Sequence, residues 1–286
     1  MRCARSHMRK RFGSSFACEK SLRSSFEKNG FLKIESFCDM QEVRGMMDRM
    51  DELIERDFII EEGGIASFRT DDKQVNAQGS DDYFLDSGTF VKPPLATHAH
   101  THKHTKPADR IHFFAEPGAL DETSGRLRVP KDRALNKVGH GLHVADKVFE
   151  TYSRSDKIAR LVEQLGWRDP VLPQSMYIFK QPGIGGEVTS HQDSTFLYTT
   201  PRQTCLGLWL ALHDATIDNG CLWVRPGSHQ EPVRRQFTRN PAYFEKGDKT
   251  EPLMIFRDLV SPEQEVDWEG KLPEGSWPPP SEGLRD

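Results

Sequence analysis

Gln174-Ser175-Met176-Tyr177-Ile178-Phe179-Lys180, the turn Gly183-Ile184-Gly185-Gly186, then Leu206-Gly207-Leu208-Trp209-Leu210-Ala211-Leu212, and finally Asp218-Asn219-Gly220 running into Cys221-Leu222-Trp223-Val224 form the stretch that decides the fold. The first segment alternates and reads as a strand. The Leu206–Leu212 segment is apolar almost throughout, which predicts a strand buried on both faces. Asp-Asn-Gly is a hairpin-turn signal. Short strands joined by tight turns predict an antiparallel barrel or sandwich.

Working outward, the N-terminal part predicts flanking helices. Ser21 to Asn29 reads as a short helix stopped by Gly30. Phe31 to Phe37 partly alternates and reads as a strand. Asp39 is an N-cap candidate, after which Val43, Met46, Met47, Met50, Leu53 and Ile54 share one helical face. A methionine stripe of this kind is read as core. Residues 130–166 read as helical, with Ala159, Leu161, Val162 and Leu165 apolar and Gly166 as the stop. Residues 230–286 read as a loop-rich tail in which only Leu253-Met254-Ile255-Phe256 has strand character.

Two polar stretches interrupt this pattern. Residues 61–88 read as a glycine-rich loop. Thr89 to Ala108 carries His98, His100, His102 and His104 at alternating positions. Extended, these would share one face and could hold a transition metal loosely. No acidic or cysteine ligand adjoins them, and a solvated insertion over 89–108 is the reading adopted.

Bulk properties bound the function. A chain of 286 residues can bury one substantial core. A mean hydropathy of -0.66 is low, so part of the chain is expected in loop or tail. A net charge of -4 gives no support to a nucleic-acid or anionic-membrane partner, and no apolar run is long enough to span a bilayer. Five cysteines without CxxC spacing suit a reducing compartment, as packed thiols. The first twenty residues hold six Lys/Arg against Glu19, a basic extension over 1–20. A cytoplasmic protein is expected, with an organellar address in that basic segment as the alternative.

The chemistry lies in His191-Gln192-Asp193. On an extended chain, residues i and i+2 point the same way, so imidazole and carboxylate can share one metal ion. Fe(II) oxygenases use two histidines and one carboxylate on one face of the metal and leave three positions open. The tripeptide alone decides nothing, because chance yields roughly two such pairings in this composition. The sequence has two, the second being His229-Gln230-Glu231.

The surroundings decide more. Gln174 to Pro182, Gly185 to Asp193, Leu206 to Leu212 and Asn219-Gly-Cys-Leu-Trp-Val-Arg-Pro-Gly-Ser-His229 together resemble the phytanoyl-CoA dioxygenase family. Asn136-Lys137-Val138-Gly139-His140-Gly141-Leu142-His143 and Asn29-Gly30-Phe31-Leu32 match as well. The resemblance covers roughly 21–88 and 109–229, within a domain taken as 21–286. It implies an α+β fold with a double-stranded β-helix (a cupin-like jelly roll) behind N-terminal helices. It implies Fe(II) and 2-oxoglutarate, with ascorbate as a possible further cofactor, and hydroxylation of a small or lipid-like organic substrate. Position by position, it makes His191 and Asp193 iron ligands. Lys137, Met176 and Trp209 match positions lining the 2-oxoglutarate site. His229 falls in a turn that the family does not use for metal, and His140 and His143 read as pocket-wall or structural residues.

The same resemblance implies two further strands carrying a second iron histidine and an arginine for the distal carboxylate of 2-oxoglutarate. No histidine follows His229 in this sequence. The expectation is therefore a jelly roll incomplete at its C-terminus, with weak iron binding and little turnover. The alternative is a non-catalytic jelly-roll pseudoenzyme or binding protein.

Overall fold

The computed structural model describes residues 22–58, 111–116, 118–121, 126–186 and 188–260. The basic extension, the 61–88 loop, the histidine-rich insertion and the last residues of the tail lie outside the described residues.

Helix α1 spans 22–29 and ends as its sequence predicts. Gly30 takes φ +81, and its N–H donates to the Phe26 carbonyl at 2.7 Å. The last carbonyls of α1 need partners, as every helix C-terminus does. The Gly227 N–H meets Asn29 O at 2.8 Å, and His229 Nε2 donates to Glu27 O at 2.9 Å. A Cβ on Gly30 would lie 2.3 Å from His229 Nδ1, so only glycine fits between the helix end and the imidazole. His229 is thus a helix cap. Phe31 to Phe37 is not a strand. It turns at 35–36, where Ser36 takes φ 50, a conformation no strand tolerates.

Helix α2 (Met40–Asp57) starts at a capping box: Asp39 accepts the N–H groups of Gln41 and Glu42, and the Glu42 carboxylate accepts the Asp39 N–H. Of its expected stripe, Val43, Met46, Met50, Leu53 and Ile54 are buried and Met47 is half-buried. Met46, Met50, Leu53 and Ile54 pack with Phe58, Ala134, Leu135, Val138, Leu142 and Phe149 in one core.

The 130–166 region departs from its helical reading. Strand β2 (Leu135–His140) precedes the short helices α3 (Leu142–Ala145), α4 (Lys147–Ser153) and α5 (Asp156–Gln164). β2 is the centre of an antiparallel three-stranded sheet, between β1 (Ile111–Ala115) and β3 (Ser175–Ile178). Five of its six residues are buried, because it is covered on both faces. One face carries Val138 opposite Phe113 and Tyr177, and it meets the α2 core, where Phe113 stacks on Phe58 at 5.5 Å. The other face carries Lys137 opposite Phe114 and Ile178, and Gly139 opposite His112 and Met176.

A second antiparallel ladder lies in the stretch read as loop-rich. β4 (Arg235–Arg239) pairs β5 (Met254–Asp258) through helix α6 (Pro241–Phe244), which Asn240 caps. β5 covers the expected strand, whereas β4 is a strand the sequence did not announce. Leu206–Leu212 and Cys221–Val224 were expected as strands and form none. Leu210 and Leu212 pack on the core, yet Leu208 is 47% exposed and Trp209 52%. No described strand pairs with them, and burial on both faces requires such neighbours. The structure thus combines helices with antiparallel strands. No described helix is long and apolar enough to cross a membrane.

Met50→Ala, at a fully buried position, is expected to cost about 2–5 kcal/mol. Asp39→Ala, removing the cap, is expected to cost ~1 kcal/mol. Urea denaturation followed by circular dichroism checks both, and the order of the two losses tests whether the α2 stripe or its cap carries more.

Candidate functional site

His191 and Asp193 converge. His191 Nε2 lies 3.3 Å from Asp193 Oδ1. The pair sits outside regular strand, with Asp193–Thr195 forming a short 3-10 turn. Strand alternation therefore does not aim the two side chains; specific contacts do. His191 Nδ1 donates to the Thr189 carbonyl at 2.8 Å, so Nδ1 carries a proton and Nε2 is the nitrogen that faces the Asp193 carboxylate. The Asp193 main-chain carbonyl accepts from the N–H groups of Phe196 and Leu197, tightening the turn.

Gln192 anchors the middle of the triplet. Its Nε2 donates to Pro232 O at 3.1 Å, and its Oε1 accepts from Arg234 N at 3.0 Å. An aromatic strut lies beside this clasp. The His191 ring meets Phe196 edge-on at 5.9 Å, and Phe196 packs against Phe237 of β4 and Phe256 of β5 at 5.7 and 6.2 Å. The segment before the ladder is pinned by charge: Glu231 pairs with the buried Arg225 and, at 3.1 Å, with Arg234. None of these supports was identified from sequence. The signal is an unremarkable Gln and three phenylalanines spaced over sixty residues.

The donor set fits a first-row divalent ion. Two donors on adjacent corners of an octahedron with bonds of ~2.1 Å lie about 3 Å apart, close to the observed spacing. One imidazole nitrogen and one carboxylate oxygen suit Fe(II). Among the described residues no group of three His, Cys, Asp or Glu side chains converges, so they supply two protein donors. His140 and His143 are not among them. The His143 ring meets Ser175 Oγ at 2.8 Å, and burial holds His140 at about 3, hence neutral.

The electrostatics tie the pair to the sheet. Asp193 holds the His191 imidazole above its ordinary value; burial and the charge of Lys137 oppose this, and the Thr189 carbonyl assists. Lys137 therefore lies within electrostatic reach of His191. Burial alone lowers the Lys137 ammonium to about 7, and the amine sits over the Phe114 ring at 5.6 Å. Met176 is its diagonal neighbour on the same sheet face, since Lys137 pairs Ile178 and Gly139 pairs Met176. A Cβ at Gly139 would lie 3.0 Å from Met176 Cγ, so the glycine lets the thioether lie across the strand. A Cβ at Gly207 would lie 3.3 Å from Asp193 Oδ2, which puts the 205–207 segment against the carboxylate. Trp209 follows two residues later. The structure thus brings His191 to Asp193 and Lys137 to Met176. It leaves Trp209 exposed, two residues beyond the approach of Gly207 to Asp193. A shallow groove between α2 and α4, around the Arg49–Asp146 ion pair at 2.7 Å, includes none of these residues.

Comparison with known proteins identifies the family. The family model for phytanoyl-CoA dioxygenase (PhyH) matches residues 26–268. Phytanoyl-CoA dioxygenase domain-containing protein 1 of Bos taurus is 42% identical over 222 residues, 78% of this chain and 69% of its own length. Phytanoyl-CoA dioxygenase of Arabidopsis thaliana is 40% identical over 243 residues, 84% of this chain and 75% of its own. Phytanoyl-CoA dioxygenase 1 of Oryza sativa subsp. japonica is 42% identical over 236 residues, 82% and 74% of the two chains. With a match across most of its length and relatives at this identity, the chain belongs to the phytanoyl-CoA dioxygenase family, and through it to the Fe(II)/2-oxoglutarate oxygenase superfamily.

Proposed function

We propose that this chain is a jelly-roll dioxygenase domain that binds Fe(II) through His191 and Asp193 and takes 2-oxoglutarate against Lys137, Met176 and Trp209. The proposed reaction is hydroxylation of a small or lipid-like organic substrate. The plant relatives are named for phytanoyl-CoA, and that name sets the class of substrate to try first. The observation that carries the reading is the 3.3 Å approach of His191 Nε2 to Asp193 Oδ1, on a triplet held by long-range contacts.

The bound metal would supply oxygen activation and the redox chemistry. The chain's own residues do the rest. Thr189 fixes the His191 tautomer. Asp193 contributes one negative charge and holds the imidazole in line. Lys137, protonated below about 7, offers a buried cation to a carboxylate of the keto-acid. Met176 and Trp209 supply apolar surface beside it. A second reading, a binding protein that takes 2-oxoglutarate without oxidation, is favoured by one observation: only two donors converge among the described residues.

Fe(II) titration coupled to 2-oxoglutarate decarboxylation separates the two. The expected outcome is weak Fe(II) binding with low turnover, both lost in His191→Ala and Asp193→Ala. Unchanged Fe(II) affinity in those variants would overturn the metal assignment. Binding of 2-oxoglutarate with no decarboxylation at saturating Fe(II) would select the second reading.

Lys137 generates a separate pH prediction. Its folded value near 7 lies below the ordinary 10.5. Between these values the unfolded chain holds more protons, so stability rises with pH across that window, and the burial cost is fully present below 7. Lys137→Met is therefore expected to raise the melting temperature at pH 6–7, by about 2–4 °C for each kcal/mol relieved. This advantage should shrink toward pH 10. The same variant should lose 2-oxoglutarate binding, and wild-type affinity should fall as pH rises above about 7. Calorimetric melts and titrations at pH 6, 8 and 10 check both; a variant less stable than wild type at pH 6 would contradict the assignment.

A further inference from the structure

We infer that Gln192 is a positioning residue whose carboxamide fastens the metal-binding triplet to residues 232–234, so that metal occupancy and the order of the β4–β5 ladder are coupled. The inference rests on the reading of His191 and Asp193 as metal ligands.

The chemistry of the partners fixes the amide. Arg234 N–H can only donate and Pro232 C=O can only accept. Rotating the carboxamide by half a turn would set donor against donor and acceptor against acceptor. Gln192 therefore has one satisfied orientation, and both partners are main chain. A rotation of the backbone at 191–193 breaks one of the two bonds unless the Gln192 side-chain torsions absorb it. Both candidate ligands flank Gln192 directly, so any such rotation misplaces the imidazole and the carboxylate together.

The clasp reaches the ladder by short steps. Leu259 N donates to Arg234 O at 2.7 Å, which extends the β4–β5 pairing by one rung next to the clasp. Phe196 supplies a second connection through Phe237 and Phe256, whose rings lie 4.9 Å apart. A metal ion that holds His191 and Asp193 in place thereby also holds Gln192 against 232–234. By linkage, an ordered ladder favours metal by the same factor.

The test uses the full 286-residue chain with Co(II) alone as the probe. Gln192→Leu keeps the side chain's bulk and removes both polar ends, whereas Gln192→Glu keeps the acceptor for Arg234 N and loses the donor. Co(II) affinity is read from its visible absorption, and amide exchange over 234–239 is followed with and without Co(II). In the wild type, Co(II) is expected to slow exchange in this segment. Gln192→Leu is expected to bind Co(II) about 10–100-fold more weakly, as loss of supporting contacts does in other metal sites. It should also lose the metal-dependent protection while its melting temperature moves by only about 2–4 °C. Gln192→Glu should fall between, and it decides the matter if Gln192→Leu does not fold. Wild-type Co(II) affinity and wild-type protection in the variants would overturn the inference. A His191→Ala/Asp193→Ala double variant runs alongside. If it binds Co(II) like wild type, the metal reading fails and this inference falls with it. If it loses Co(II) while the Gln192 variants do not, the inference alone fails.

Discussion

Strand β2 has to satisfy two different surroundings at once, and the rest of the structure follows from that demand. On one face Val138 closes the α2 core together with Phe113 and Tyr177. On the other, Lys137 and Gly139 face Phe114 and Met176, where the apolar environment lowers the lysine's proton affinity. A central strand carrying an amine is poor material for a core taken alone, since burying an ammonium is costly. The strand is tolerable because hydrogen-bonded neighbours on both edges hold its backbone and because α2 contributes a wide apolar stripe behind it. The core therefore supports a chemically awkward residue in a fixed place, which suits the proposed role of Lys137 toward an anionic co-substrate.

The parts of the fold that were legible in the sequence are those stabilised locally. The α2 stripe repeats at helical spacing and begins at a side chain that can cap it, so it needed no tertiary information. Gly30 and Gly166 end helices because their backbones turn left-handed, at φ +81 and +102. β2 was illegible for the opposite reason: Asn136, Lys137 and His140 break its apolar pattern, and only two neighbouring strands make it a strand. Leu206–Leu212 erred the other way. Its composition asks for burial on both faces, but composition cannot provide the pairing strands, and Trp209 ends half exposed. β4 was hidden because its one aromatic, Phe237, stands among Arg235, Gln236, Thr238 and Arg239 rather than in an apolar run.

The candidate site divides along the same line. His191 and Asp193 are proposed from sequence because iron chemistry uses those two groups at that spacing, and family resemblance proposes Lys137, Met176 and Trp209. What aims the pair was not legible. The aiming groups are Gln192, reaching forty residues ahead, and Phe196, reaching β5 and the unforeseen β4. The candidate ligands are close in sequence, but their orientation is a long-range property of the fold. It also explains why a His-x-Asp tripeptide is weak evidence by itself: the spacing brings the groups near each other, and only the supports make them converge.

Charge balance gives the proposed reading its internal logic. Asp193 brings one negative charge, and the sheet face behind it brings one partly neutralised positive charge at Lys137. Lys137 already opposes protonation of His191, so the same field must oppose a dication at that position. On the proposed reading a keto-acid dianion would reverse the sign: one carboxylate would favour the proton on Lys137, and the total of aspartate, ammonium, divalent ion and dianion would be zero. Metal and co-substrate would then each relieve the repulsion that the other meets, and reciprocal coupling between them would need no movement of the backbone. A lysine poised near neutrality suits this arrangement better than one fully charged. It weakens the field while the site is empty and strengthens it when an anion arrives. On this argument the burial that destabilises Lys137 in the folded chain is the same physical cause that makes its charge responsive to the ligand.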